Sequence, residues 1–292
     1  MKVVILGALR ALALTTFAML AASCSAQEPS ADLREPSADL RVLTLNLQTF
    51  AANPAVEVRT EMVIKYLRSE MPDLVALQEA AQSSEVENRA EAIAAAAGYE
   101  YVWTSADMNE PQDYRGGTAV LSRWPITQKE IVDLPFLGVE GEYQSRAILI
   151  TADTPVGKVK MVGVHVTTIE AEDLKARQTI AGAALLVSAL GEMPGFYAGD
   201  FNAEPNAPSI LQLDEAESGF VDAWAAANPG APGYSYPSSG PDRRIDYIFT
   251  AAGTEKRATV KSCTLFGDES TDGIRVSDHL GILCDFRLRP AR

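Results

Sequence analysis

The chain has 292 residues, 39 acidic against 25 basic side chains, two histidines, three cysteines and a formal charge of −14 at neutral pH. A chain this acidic is repelled by nucleic-acid backbones and by anionic lipid heads, which argues against nonspecific binding to either. Two histidines also exclude a three-histidine zinc site within one chain.

The first segment reads as a targeting signal. Lys2 and Arg10 give it positive charge, and residues 3–22 are otherwise almost wholly apolar. Leu20-Ala21-Ala22-Ser23-Cys24 resembles a bacterial lipobox, with alanine where leucine is usual three residues before the cysteine. It predicts a signal peptide over 1–23, cleavage before Cys24 and a lipid on that cysteine. Ordinary cleavage after Ala26 is the alternative. Residues 28–34 and 35–41 then repeat Glu-Pro-Ser-Ala-Asp-Leu-Arg without change. With Pro29, Pro36 and no apolar period, 24–41 reads as a tether carrying a duplicated unit. Residues 42–292 hold no second low-complexity break and fit one domain. The protein is expected to be exported, monomeric, and either periplasmic or held at a membrane through Cys24.

Along the domain, short apolar runs alternate with helical segments. Residues 41–45 read as a strand ending at Asn46. In 56–70, Met62, Val63, Tyr66 and Leu67 share one helical stripe. Residues 73–77 form a second strand, ending at Gln78-Glu79, and 86–97 an alanine-rich helix stopped by Gly98. Strands follow at 99–103, 118–122, 130–134, 146–151 and 159–165, then a long helix over 170–190. A strand at 195–198 leads into Gly199-Asp200-Phe201-Asn202, and strands at 244–249, 259–265 and 280–288 close the pattern. About eleven strands, mostly apolar on both faces, and at least three helices predict two stacked sheets with helices outside. Cys263 and Cys284 lie in two of the last strands. Export permits a disulfide between them, and two buried thiols are the other reading.

Chemistry-bearing residues recur at the C-terminal ends of apolar runs: Asn46, Glu79, His165, then Asp200 and Asn202. Strand ends of this kind can converge on one edge of a sandwich. Asp200 and Asn202 are two apart, so in an extended segment they face one side and Phe201 faces the core. Asp278 and His279 are adjacent and can face different tasks. Glu79, Asn46 and Asp278 offer oxygen ligands, which favour Mg²⁺ or Mn²⁺ over Zn²⁺. His165 and His279 are the side chains most easily poised to exchange a proton near neutral pH. Each position also has a structural alternative: Asp246 paired with Arg243 or Arg244, Asn46 capping a turn, Arg146 in a surface ion pair.

Seven segments in this order resemble the endonuclease/exonuclease/phosphatase superfamily over nearly all of 42–290. They are Leu43-Thr44-Leu45-Asn46; Pro72-Asp73-Leu74-Val75-Ala76-Leu77-Gln78-Glu79; Gly117-Thr118-Ala119-Val120-Leu121-Ser122-Arg123; Gly163-Val164-His165-Val166-Thr167-Thr168; Gly199-Asp200-Phe201-Asn202; Arg244-Ile245-Asp246-Tyr247-Ile248-Phe249; and Ser277-Asp278-His279. The resemblance implies a four-layer αββα sandwich of two mostly antiparallel sheets, with a divalent metal, Mg²⁺ or Mn²⁺, at one edge. By position Asn46, Glu79 and Asp278 would hold or border the metal. Asp200 and Asn202 would position water and phosphate. His279, oriented by Asp246, would be the general base or a phosphate contact. His165 would contact the phosphate opposite or assist the leaving group, and Arg146 sits where relatives often bind phosphate.

The expected activity is metal-dependent hydrolysis of a phosphodiester, small or lipid-derived, by in-line attack of an activated water. Alternatives are an extracytoplasmic nuclease, which the net charge disfavours, and an inactive member that binds a phosphorylated ligand. Replacing His279 by alanine is expected to abolish most turnover with little effect on stability. Residues 233–241, rich in Tyr, Ser, Gly and Pro, and residues 138–143 are expected to face the substrate.

Overall fold

The first strand, β1 (Asp39–Asn46), already shows how the molecule is layered. Leu40 and Val42 pack between two sheets, whereas Leu43 and Leu45 pack outward under helices. Thr44 and Asn46 continue the inward stripe, so the interior face turns polar at one end only. A one-residue slip would send Asn46 to the helix side. The computed structural model describes residues 39–48, 55–82, 87–108, 116–140, 142–214, 219–251, 253–254 and 257–288. The expected signal, its cleavage sites and the tether up to residue 38 lie outside these residues. β1 begins inside the second copy of the repeat, three residues before the boundary expected at 42.

The elements that follow are α1 (Val56–Glu70), β2 (Leu74–Gln78), α2 (Arg89–Ala97), β3 (Glu100–Ser105), β4 (Asp107–Met108), β5 (Gly117–Ser122), β6 (Ile126–Asp133), β7 (Tyr143–Gln144), β8 (Arg146–Thr154) and β9 (Gly157–His165). Then come α3 (Glu172–Leu190), β10 (Gly195–Asp200), α4 (Pro208–Asp214), β11 (Val221–Asp222), α5 (Ala223–Ala227), β12 (Asp246–Thr250), β13 (Ala258–Phe266), β14 (Ser270–Thr271), β15 (Ile274–Arg275) and β16 (Gly281–Leu288). All eleven expected strands are present, with shifted ends. The two short helices α4 and α5 carry too few turns to show a period in the sequence.

The sheets have the orders β13-β16-β1-β2-β5-β3 and β11-β12-β10-β9-β8-β6. Each contains a single parallel pair, β1 with β2 and β9 with β10, among antiparallel neighbours. A parallel pair needs a crossover, and α1 and α3 supply the two crossovers. α1 and α2 cover one sheet through Val63, Leu67 and Ile93, and α3 and α4 cover the other through Leu186, Ile210 and Leu213. Between the sheets lie Val42, Leu74, Val120, Ile148, Met161, Phe196, Ile248 and Phe286. This is the expected αββα sandwich.

The helix ends have local causes. Asn88 caps α2 by accepting the Glu91 N–H (3.1 Å), and Gly98 ends it with φ +79°. Cys263 and Cys284 face each other across β13 and β16 and form a disulfide with Cα atoms 4.1 Å apart. The cross-strand bridge left open by the sequence is therefore made.

Candidate active site

Strand direction explains why the chemistry collects at one edge. β1, β2, β9 and β10 end there with Asn46, Gln78, His165 and Asp200. The antiparallel neighbours of these strands begin there, β12 with Asp246 and β16 just after His279. Alternation places Asn46, His165, Asp200 and Asp246 on the inward faces, so the site is the polar end of the inter-sheet core. Gly199, before Asp200, is required by close approach: a Cβ there would lie 2.0 Å from Val164 O. That contact lets β9 and β10 bring His165 and Asp200 side by side, and they are register partners.

Asp200 is the node. Its Oδ2 accepts Asn46 Nδ2 at 3.0 Å, with His165 Nε2 at 3.6 Å and His279 Nε2 at 3.8 Å. Asn46 Nδ2 also donates to Glu79 Oε1 (3.1 Å), and Asn46 Oδ1 accepts Gln48 N–H (3.0 Å). His279 Nδ1 lies 2.8 Å from Asp246 Oδ2. An ionised carboxylate only accepts, so the Nδ1 proton is fixed on the Asp246 side and Nε2 faces Asp200. Arg244 pairs with Asp222 (2.6 Å) and Arg243 with Asp242 (3.0 Å), so the structural alternative for Asp246 does not apply.

Asn202 departs from the extended geometry expected for it. Its φ is +49°, its backbone N–H donates to Asp200 Oδ1 (2.8 Å), and its Nδ2 donates to Val166 O (2.9 Å). The strand has already ended, because Asp200 closes a turn on the second amide after itself. Phe201 is buried beneath α3 as expected. Glu79 likewise has φ +53°, which carries its side chain off the strand alternation.

Arg146 begins β8 at the same edge. Its guanidinium bridges Asp133 (2.7 Å) and Ser105 O (2.7 Å), tying the two sheets together. Asp133 is largely exposed, so that pair contributes little to stability. Ser122 and Arg123 turn on Trp124 and Asp73, as structural residues.

Four residues at the site carry no sequence motif. Lys175, buried on α3, donates to Asn202 O (2.8 Å). Ser235 Oγ accepts the Ile245 and Asp246 N–H groups (3.2 and 3.3 Å), and Tyr236 packs its ring 4.8 Å from His279. Part of the 233–241 loop thus lies against His279 and the Asp246 backbone. Tyr143 lies 6.0 Å from the His165 ring with its hydroxyl oxygen enclosed. Burial, then the charges of Asp200 and Glu79, push that phenol well above its usual range. Each of the four acts through backbone groups or across a long separation, which leaves no local spacing to read.

The electrostatics are those of crowded acids. Burial alone would depress the His279 pKa, but Asp246, Asp200 and Asp278 overcome it and hold it up at about 10. Burial raises Asp278, and Glu79 adds to the rise against the opposing pull of His279. Two groups of residues could hold a cation. Asp200, Asp246 and His279 offer ligand atoms within 4.8 Å of one another, but the His279–Asp246 bond already uses part of that set. Glu79 and Asp278 are hard oxygen donors whose mutual repulsion would be relieved by a divalent cation, and Asn46, which turns its Nδ2 to Glu79 and its Oδ1 to Gln48, would border it. This set fits the group better.

The sandwich matches the deoxyribonuclease-I-like fold. The chain belongs to the endonuclease/exonuclease/phosphatase family, whose model matches residues 43–279. Members of this family are metal-dependent hydrolases acting on phosphoesters. An endonuclease/exonuclease/phosphatase from Beutenbergia cavernae is 25% identical, with TM-score 0.68 over 86% of this chain and 72% of that one. D. rerio TDP2 humanized by 14 mutations is 21% identical, with TM-score 0.71 over 86% and 99%. The human Nocturnin catalytic domain with bound sulfate is 18% identical, with TM-score 0.69 over 87% and 96%. No curated protein matches the sequence.

Proposed function

We propose that this chain is a divalent-metal-dependent phosphodiesterase acting on a small or lipid-derived substrate, exported and anchored through Cys24. The observation that carries the reading is the His279 imidazole held between Asp246 and Asp200, with His165 Nε2 near the same Asp200 oxygen. His279 Nε2 takes a proton from the attacking water, and Asp246 stabilises the imidazolium that results. Asp200, held by Asn46 and the Asn202 amide, orients that water. His165 Nε2 has no hydrogen-bond partner among the described residues and lies 3.6 Å from the same Asp200 oxygen, and in this reading it gives a proton to the leaving oxygen. Arg146 contacts the phosphate by giving up its exposed partner Asp133. Glu79 and Asp278, bordered by Asn46, would hold Mg²⁺ or Mn²⁺, which when bound offsets the negative field around His279 and stabilises charge on the phosphoryl oxygens.

The disulfide supports export, because such bonds persist in oxidising compartments. The net charge supports a substrate other than bulk nucleic acid. Hydrolysis of bis(p-nitrophenyl) phosphate against p-nitrophenyl phosphate, with Mg²⁺, Mn²⁺ or EDTA, tests the reading. Metal-dependent cleavage of the diester, lost in His279→Ala, is the expected result. Metal-independent turnover, or none, would overturn it. Plasmid nicking that persists at high salt would move the substrate to DNA.

A further inference from the structure

The loop between β6 and β7 leaves the sandwich at the catalytic edge, because β8 begins there with Arg146 beside the end of β9. Its tip, Phe136-Leu137-Gly138-Val139, is apolar and exposed. Of the nine large apolar side chains exposed among the described residues, Phe136, Leu137 and Val139 are three (37%, 49% and 43%). Isolated exposed apolar residues are ordinary; a run of them at the mouth of a site is not.

The loop is held in place. Glu142, 2% exposed, accepts the N–H groups of Leu137 (3.0 Å), Gly138 (2.8 Å) and Val139 (3.2 Å). One buried carboxylate thus binds three successive amides and fixes the backbone that displays the apolar side chains. At the base, Gln178 donates to Pro135 O (2.8 Å) and accepts the N–H of Thr167 (2.8 Å). The loop is therefore linked to the segment two residues past His165. On the His279 side, Tyr234 is also exposed (40%), one residue before Ser235. An amphipathic aromatic suits a lipid–water boundary.

We infer that Phe136, Leu137 and Val139 enter an uncharged lipid layer, so that the site meets phosphodiesters embedded in it. The inference rests on the phosphodiesterase reading and names its substrate class. A neutral or zwitterionic layer follows from the charge of −14, which opposes an anionic one. Chain length permits the geometry. β1 starts at the edge opposite the site and spans eight residues, roughly 25 Å. Fifteen Cα–Cα steps lead from Cys24 to Asp39, a reach of at most roughly 50 Å. An anchored domain can therefore turn its catalytic edge to the same membrane. Without one copy of the repeat, about eight steps would reach only about the depth of the domain, with no slack.

The test places an environment-sensitive fluorophore on Leu137→Cys in the full chain carrying Cys24→Ala, with Val139→Cys as a second site and Leu211→Cys on α4 as control. Phosphatidylcholine vesicles are added in EDTA. A blue shift and gain in emission at 137 and 139, absent at 211 and weaker with phosphatidylglycerol vesicles, is the expected result. No shift at either loop position would overturn the inference and leave the patch to a protein partner. An equal shift at 211, or a stronger response to the anionic vesicles, would overturn it too. The spectrum needs no turnover, and bis(p-nitrophenyl) phosphate needs no lipid, so this inference and the phosphodiesterase reading can fail separately.

Discussion

Asp200 and Asp246 are register partners across β10 and β12, and the His279 imidazole lies between their carboxylates, bonded to Asp246 at 2.8 Å and 3.8 Å from Asp200. Both acids are almost wholly enclosed. The histidine is therefore a counter-charge in the core as well as a proton acceptor.

His279→Ala should cut turnover at least ~10²-fold. It should also cost about 1–3 kcal/mol of stability, because it leaves the buried Asp246 carboxylate without its partner. This revises the sequence-based expectation of unchanged stability. Combining it with Asp246→Asn should recover part of the stability and none of the rate. Denaturant melts of the two variants decide the matter; a single variant as stable as the parent would contradict the pairing.

Asp246→Asn alone separates positioning from structure. An asparagine amide facing Nδ1 favours the tautomer with its proton on Nε2, which cannot accept from water. Turnover should fall at least ~10²-fold, and the melting temperature at neutral pH should lose the part of the stability that the Asp246–His279 pair supplies. Unchanged kinetics would return Asp246 to a structural role.

Stability should depend on pH through His279. Its pKa in the folded chain, about 10, lies above the ordinary value of 6.5. The folded state binds that proton more tightly, so the stabilisation is fully present below pH 6.5 and is lost as pH rises through about 10. In EDTA, the melting temperature of the parent should fall from neutrality towards pH 10, and that of the His279→Ala, Asp246→Asn double variant should fall less. Parallel profiles would refute the shift.

Glu79→Gln should weaken Mn²⁺ binding by at least about tenfold in titration calorimetry, since it removes one of two neighbouring carboxylates. If the isotherm is unchanged and Asp246→Asn abolishes it instead, the cation sits among Asp200, Asp246 and His279.

Lys175→Met should lower turnover roughly tenfold or more by releasing the Asn202 carbonyl and with it the turn that aims Asp200. Partial rescue by Lys175→Arg would mark a positioning role. A fall in melting temperature with normal kinetics in the surviving protein would mark a structural one.

Much of this was legible in the chain because the period of two runs to the strand ends. Leu40, Val42, Thr44 and Asn46 share one face, and the polarity switch along that face marks the open end of the sandwich. The site residues themselves were readable as strand ends. What the sequence hid were contacts made through backbone atoms. Lys175 reaches Asn202 O across 27 residues, and Ser235 reaches the Asp246 amide across 11. Asn202 was misread as extended because its left-handed φ depends on a turn closed by Asp200, which two-residue spacing does not reveal.

The position of β16 governs timing. It lies between β13 and β1, and its pairing joins Arg287 to Asp39 at the far end of the chain. A chain delivered N-terminus first leaves β1 without this neighbour until nearly everything else has emerged, and contacts of such long separation form slowly. His279 arrives with the same segment. Hydrolytic competence therefore waits for the last strand to pair between β1 and β13, and a chain delivered short of it lacks His279 as well.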